Sequence, residues 1–150
     1  MELKPYVRAA HYYETDQMGV VHHSNYIRWF EEARLYIIGQ CGLGYHEIEH
    51  RGVMIPVLDV SCAYKKPVRF GDTVVIEMRI VDFQKSHGIR YGVEYRIIDA
   101  ETGDLLTTGA SHHCLTDMNL RPIRCQREQP DIYEVFKMME EKGWVTDHGQ

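Results

Sequence analysis

Apolar and polar positions alternate with a period of two through PYVRAAHYYE, where Val7, Ala9 and His11 oppose Arg8, Ala10 and Tyr12, and this predicts a first strand. The period changes at Asn25. Tyr26, Phe30, Ala33, Ile37 and Cys41 are spaced by four, three, four and four residues, the repeat of one helical face. A helix of about 17 residues, roughly 25 Å long, is expected there. Ser24 or Asn25 suits its N-cap, and Gly42 and Gly44 its stop. Trp29, Leu35, Tyr36 and Ile38 widen the apolar stripe beyond what a surface helix needs, so something should wrap it.

The wrapper is legible further on. MIPVLDVSCAYK, TVVIEMRIVDF, GIRYGVEYRIID and LLTTGASHHCLT are four long, β-branched, alternating runs. Turn signals separate them at Phe70-Gly71-Asp72, at His87-Gly88 and from Ala100 to Asp104, and short turns imply antiparallel hairpins. Ile132, Val135, Phe136 and Met139 form a closing helix after Pro130 and Asp131. The predicted class is α+β, a long antiparallel sheet curled around one mostly apolar helix, which is the hotdog arrangement. One copy would leave a sheet edge that a second copy can pair.

At 150 residues and 17.6 kDa the chain fits a single domain over 1–150, able to bury a core without disulfides or metal. A net charge of −5 disfavours a nucleic-acid or anionic-membrane surface, although local basic clusters can still hold a small polyanion. Cys41, Cys62, Cys114 and Cys125 form no C-x-x-C pair, and no apolar leader follows Met1. Free thiols in a reducing cytoplasm are the expectation, with no membrane span.

Chemistry concentrates in YETDQMGVVHHSNY, residues 13–26. A connecting loop would need only Gly19, yet this one also carries Asp16, His22, His23 and Tyr26. The first turn of a helix presents N–H groups without internal partners, and with the positive end of the dipole they can hold a developing oxyanion. A nearby Asp16 carboxylate could attack a carbonyl held there, or deprotonate a water that does. Hydrolysis of an activated acyl group fits, a thioester above all, because a thiolate leaves easily.

The stretch YETDQMGVVHHSNYIRWFEEAR resembles the signature of the 4-hydroxybenzoyl-CoA thioesterase family, particularly its YbgC-type acyl-CoA thioesterases: D-x-x-G-x-V, then Y, then E-x-A-R. Here these are Asp16, Gly19, Val21, Tyr26, Glu31, Ala33 and Arg34. The resemblance is strongest over residues 8–40 and runs on to about residue 125. It implies the hotdog fold and hydrolysis of a short-chain or aromatic acyl-CoA to free acid and coenzyme A. It further implies Asp16 as catalytic carboxylate, the His23 N–H as oxyanion donor, Gly19 permitting close backbone approach, and Tyr26 beside the acyl group. Lys85-Ser86 and Arg121 are implied near the coenzyme A phosphates. The implied assembly is a homodimer or homotetramer with its site at a subunit interface; acyl carrier protein is a further candidate partner. On charge grounds Lys65, Lys66 and Arg69 also suit the mouth of an acyl tunnel.

Other readings stay open. Asp16 taken alone is a turn residue, Tyr26 a core residue, and Tyr45, His46 and Tyr64 are candidates for narrowing a tunnel. Glu31 and Glu32 stand where another hotdog lineage carries its carboxylate, but they read better as ion-pairing groups, for example Arg28 with Glu32. His22-His23, His112-His113 and His11 suggest a metal only superficially, since adjacent strand residues point to opposite faces; no metal or redox cofactor is expected. A non-catalytic module binding acyl-CoA or acyl carrier protein, and a hydratase needing a histidine side chain, are the alternatives.

Overall fold

The computed structural model describes residues 2–147 of the chain. Five strands, β1 (Tyr6–Ala9), β2 (Val57–Tyr64), β3 (Thr73–Val81), β4 (Arg90–Asp99) and β5 (Leu105–Cys114), form one antiparallel sheet in the order β1-β3-β4-β5-β2. Helix α1 (Ser24–Gly39) lies against its inner face, followed by short α2 (Tyr45–His50), α3 (Cys125–Glu128) and the closing α4 (Pro130–Lys142). This is the hotdog fold expected from the pattern.

The core forms where the α1 stripe meets alternate strand positions. Tyr26, Trp29, Phe30, Ala33, Ile37 and Ile38 of α1 share one buried cluster with Tyr91, Val93, Tyr95 and Ile97 of β4. Phe30 stacks on Tyr95 with ring centroids 4.2 Å apart. Gly109 makes that approach possible, since a Cβ there would lie 2.5 Å from the Phe30 ring. At the other end of the sheet, α4 clamps the β3–β4 turn: the Glu140 carboxylate accepts the N–H groups of Phe83 and Gln84, both at 3.0 Å.

Several expectations need correction. The first strand stops at Ala9, and Tyr12–Glu14 forms a 3-10 turn. Within β1 the inward residues are Tyr6 and Arg8, the latter drawn in by Glu14, while Val7 is exposed. α1 ends at Gly39, ahead of the expected stops; Gly44 is the N-cap of α2, an element the pattern did not predict. Phe70-Gly71-Asp72 is a turn, with the Asp72 N–H donating to Arg69 O at 3.0 Å, but not a hairpin. β2 pairs instead with β5, so the segment from Lys65 to Asp72 crosses the end of the sheet. The outer side of β2 has no partner strand among the described residues. No helix among them is long and apolar enough to cross a membrane.

Candidate active site

The loop between β1 and α1 closes on itself. Thr15 bridges to Val21, the Asp16 N–H donates to Val20 O at 2.8 Å, and the Gly19 N–H donates to Asp16 O at 3.0 Å. Gly19 has φ +77°, the left-handed conformation such a tight turn requires. The Asp16 side chain supports the same turn, with Oδ1 accepting the Met18 N–H at 2.8 Å. The D-x-x-G spacing therefore has a local cause. Its other carboxylate oxygen has no hydrogen-bond partner among the described residues, and the side chain is exposed. The Val21 N–H, donating to Val68 O at 2.7 Å, straps the loop to the segment that crosses from β2 to β3.

The start of α1 arrives beside this turn. His23, not Ser24 or Asn25, is the N-cap residue, and its imidazole makes no capping bond. The Ser24 N–H donates to His22 Nδ1 at 3.2 Å, the Asn25 N–H to His22 O at 3.0 Å, and the Tyr26 N–H to His23 O at 3.3 Å. The His23 N–H alone in this turn has no acceptor among the described residues. Asp16, His23, Tyr26, Tyr64, Lys65 and Lys66 line a single cleft of about 340 Å³. Tyr26 is buried and meets Tyr64 edge-on at 5.0 Å, and the Tyr64 hydroxyl donates to His23 O at 3.4 Å. Burial and the neighbouring Cys62 push the Tyr64 hydroxyl up to about 12, so it stays a neutral donor. An exposed carboxylate oxygen and an unpaired helix-end N–H facing one cleft can activate water and polarise a carbonyl.

The described architecture agrees with known proteins. Residues 11–140 match the family model described as the thioesterase-like superfamily. The chain belongs to that superfamily. Bacillus subtilis (strain 168) YneP, to which acyl-CoA thioesterase activity is ascribed, is 33% identical over 126 residues, 84% of this chain and 89% of its own. The acyl-CoA thioester hydrolase YbgC of Escherichia coli O6:H1 is 24% identical over 112 residues, covering 75% of this chain and 81% of its own. A DHNA-CoA thioesterase structure from Staphylococcus aureus superposes with a TM-score of 0.82 at 32% identity, covering 94% of this chain and 93% of that one. The resemblance read from residues 8–40 thus extends over the hotdog fold as a whole, and as a member of this superfamily the chain is a thioester hydrolase.

Within this thioesterase-like chain, the structure gathers only part of the expected site. Lys65 and Lys66 reach the cleft; Lys66 also pairs with Asp104 at 3.1 Å, whereas Lys65 has no ion-pair partner among the described residues. Arg69 sits next to it, its backbone bridged to Val20. Lys85, Ser86 and Arg121 do not line this cleft. They belong to turns at the opposite ends of β3 and β5, about 27 Å away by strand rise. The Ser86 hydroxyl is occupied in its own turn, donating to Phe83 O at 2.9 Å and contacting Arg90 O at 2.7 Å, and Lys85 pairs with Asp82 at 3.0 Å. Tyr45 and His46 lie on α2, outside the cleft. Glu32 does form ion pairs, but its partner is Arg8 at 2.8 Å, not Arg28. His112 and His113 face opposite sides of the sheet, the first paired with Asp59 and the second buried against Ser111. Among the described residues no three His, Cys, Asp or Glu side chains are grouped to hold a metal.

Sequence reasoning missed Glu14. It is 2% exposed and stands two residues before Asp16, with Arg8, the His11 N–H and the Trp29 indole all directed at its carboxylate. The only hint was an acid in the same loop, with no sign of burial.

Proposed function

We propose that the protein hydrolyses a short-chain or aromatic acyl-CoA thioester to the free acid and coenzyme A. The observation that carries this reading is the free Asp16 carboxylate oxygen sharing a cleft with the unpaired His23 N–H. The His23 N–H and the positive end of α1 stabilise the oxyanion as the carbonyl becomes tetrahedral. Asp16 either takes a proton from the attacking water or attacks the carbonyl itself. The carbon–sulfur bond then breaks, coenzyme A leaves as thiolate, and water supplies the oxygen of the product acid. Tyr26 and Tyr64 form the apolar wall for the acyl group, which suits a small or flat one. Lys65, Lys66 and Arg69 meet the phosphates of coenzyme A, and no metal or further cofactor enters the scheme.

The placing of Lys85, Ser86 and Arg121 supports a dimer. Antiparallel pairing of two β2 edges sets the far end of one sheet beside the Asp16 end of the other, so these residues would serve the neighbour's cleft. An acyl carrier protein presenting the same thioester is an alternative donor. Residence in the cytoplasm is part of the same proposal.

Thiol release from a panel of short-chain, long-chain and aromatic acyl-CoA esters tests the reading, with wild type and Asp16→Asn side by side. Wild type should turn over at least one ester, and the folded variant should lose at least about 100-fold of that rate. Binding without thiol release by wild type would instead make this a non-catalytic acyl-CoA module.

A further inference from the structure

The Asp16 turn and the first turn of α1 are held in register by a single buried acid. Glu14 Oε1 accepts Arg8 Nη2 at 2.5 Å and the His11 N–H at 2.9 Å. Glu14 Oε2 accepts the Trp29 indole N–H at 2.8 Å, with Arg28 Nη2 at 3.4 Å. One carboxylate thus joins β1, the loop and the second turn of α1. Its own carbonyl makes a second clamp, accepting the His22 N–H at 2.8 Å and Asn25 Nδ2 at 2.9 Å. Asn25, itself buried, also donates to His22 O at 3.3 Å. Between Asp16 and His23, the N–H groups of Met18, Gly19, Val21 and His22 each have an acceptor, and the His23 N–H that follows them has none among the described residues.

Burial raises the affinity of the Glu14 carboxyl for its proton, but the bonds from His11 and Trp29 and the charge of Arg8 outweigh it, and the group titrates below the usual carboxylate range. It is an anion throughout the neutral range. An anion this enclosed is held by its donors and in turn holds them in place. A structural ion pair elsewhere in the fold would stabilise without touching the site. The residue that makes this one stands two before Asp16, and its backbone carbonyl holds the N–H immediately before His23.

We propose that Glu14 is a positioning residue, which sets the separation between the Asp16 carboxylate and the His23 N–H and so governs turnover without contacting substrate. The inference rests on the hydrolytic reading above. It differs from a purely structural role in what it requires: loss of the Glu14 charge should lower kcat while leaving the binding surface of the cleft, and therefore KM, nearly as it was.

The test compares Glu14→Gln, Glu14→Asp and Trp29→Phe with a control, Ile132→Val, which is buried on α4 and outside the cleft lining. Steady-state thiol release is measured on the ester wild type hydrolyses best, and amide hydrogen exchange is followed at Asp16, Gly19 and His22. Glu14→Gln should lower kcat at least tenfold with KM within threefold, and His22 amide exchange should quicken at least tenfold. Glu14→Asp, which keeps the charge, should recover part of kcat. Trp29→Phe, which removes one donor and keeps an aromatic ring, covers the case in which Glu14→Gln does not fold, and should lower kcat severalfold. Ile132→Val should lower Tm with kcat unchanged. Unaltered kcat in Glu14→Gln, or an equal loss in Ile132→Val at matched Tm, would overturn the proposal. Should wild type release no thiol from any ester, the hydrolytic reading fails by itself, and His22 exchange unchanged within twofold in Glu14→Gln would then separately dismiss the clamp.

Discussion

At the scale of single residues, the proposed mechanism separates side chains that would do chemistry from backbone that would do chemistry. His23 belongs to the second kind: its φ of −56° is one a proline can adopt, while its imidazole makes no capping bond. Two substitutions at this position therefore ask different questions. His23→Ala keeps the N–H and should retain kcat within about threefold, whereas His23→Pro removes the donor and should cost about 100- to 1000-fold, the usual effect of losing one oxyanion donor. Measured kcat for the pair checks this, with circular dichroism confirming α1; a large loss in His23→Ala would favour chemistry by the imidazole, as in a hydratase. Asp16 and Gly19 were legible because their spacing is a local turn code, an acid accepting from its own turn and a glycine supplying the left-handed residue. Glu14 was not, because Arg8 and Trp29 come to it from separate elements and nothing near it in the chain announces burial.

At the scale of elements, α1 was legible because its apolar repeat is long, and α2 was not because YHEIEH is only six residues long with only Ile48 buried. The pattern also gave no account of the polar seam beneath α1. Arg34, 7% exposed, donates to the Tyr95 hydroxyl at 2.9 Å; Tyr95 bonds Ser111 at 2.6 Å, and Ser111 bonds His113 Nε2 at 2.7 Å. Burial first, and then the Arg34 charge, lower His113 to about 3. Above its ordinary 6.5 neither the folded nor the unfolded chain protonates this ring. Between 6.5 and about 3 only the unfolded chain does, so stability falls as pH falls, by up to about 1.4 kcal/mol per pH unit. Scanning calorimetry between pH 7 and 4.5, above the range where most carboxylates titrate, should show Tm declining in wild type. The decline should be shallower in His113→Gln, which keeps a polar group near Ser111 but no titration.

At the scale of the whole molecule, the hotdog layout was visible in the order of periodicities, yet the strand order was not. Turn signals report where a chain bends and not which strand it meets next, and β2 passes over its sequence neighbour β3 to pair with β5. That detour makes β2 a free edge of the sheet, with Val57, Leu58 and Tyr64 exposed along it. An apolar, unpaired edge is a site for strand pairing, and a lysine on such an edge opposes it. In the proposed dimer, Arg121 of one copy serves the cleft of the other, so pairing and catalysis should fail together. Leu58→Lys is the variant that tests the link, being on the edge strand and outside the cleft lining. Sedimentation should show wild type at twice the 17.6 kDa chain mass or a multiple of it, and Leu58→Lys at the single-chain mass. Thiol release by the variant should fall at least tenfold, mostly through KM, since phosphate contacts act on binding. A monomeric Leu58→Lys with wild-type kcat and KM would mean that one chain completes its own site, and that Lys85, Ser86 and Arg121 are ordinary surface residues of the far end.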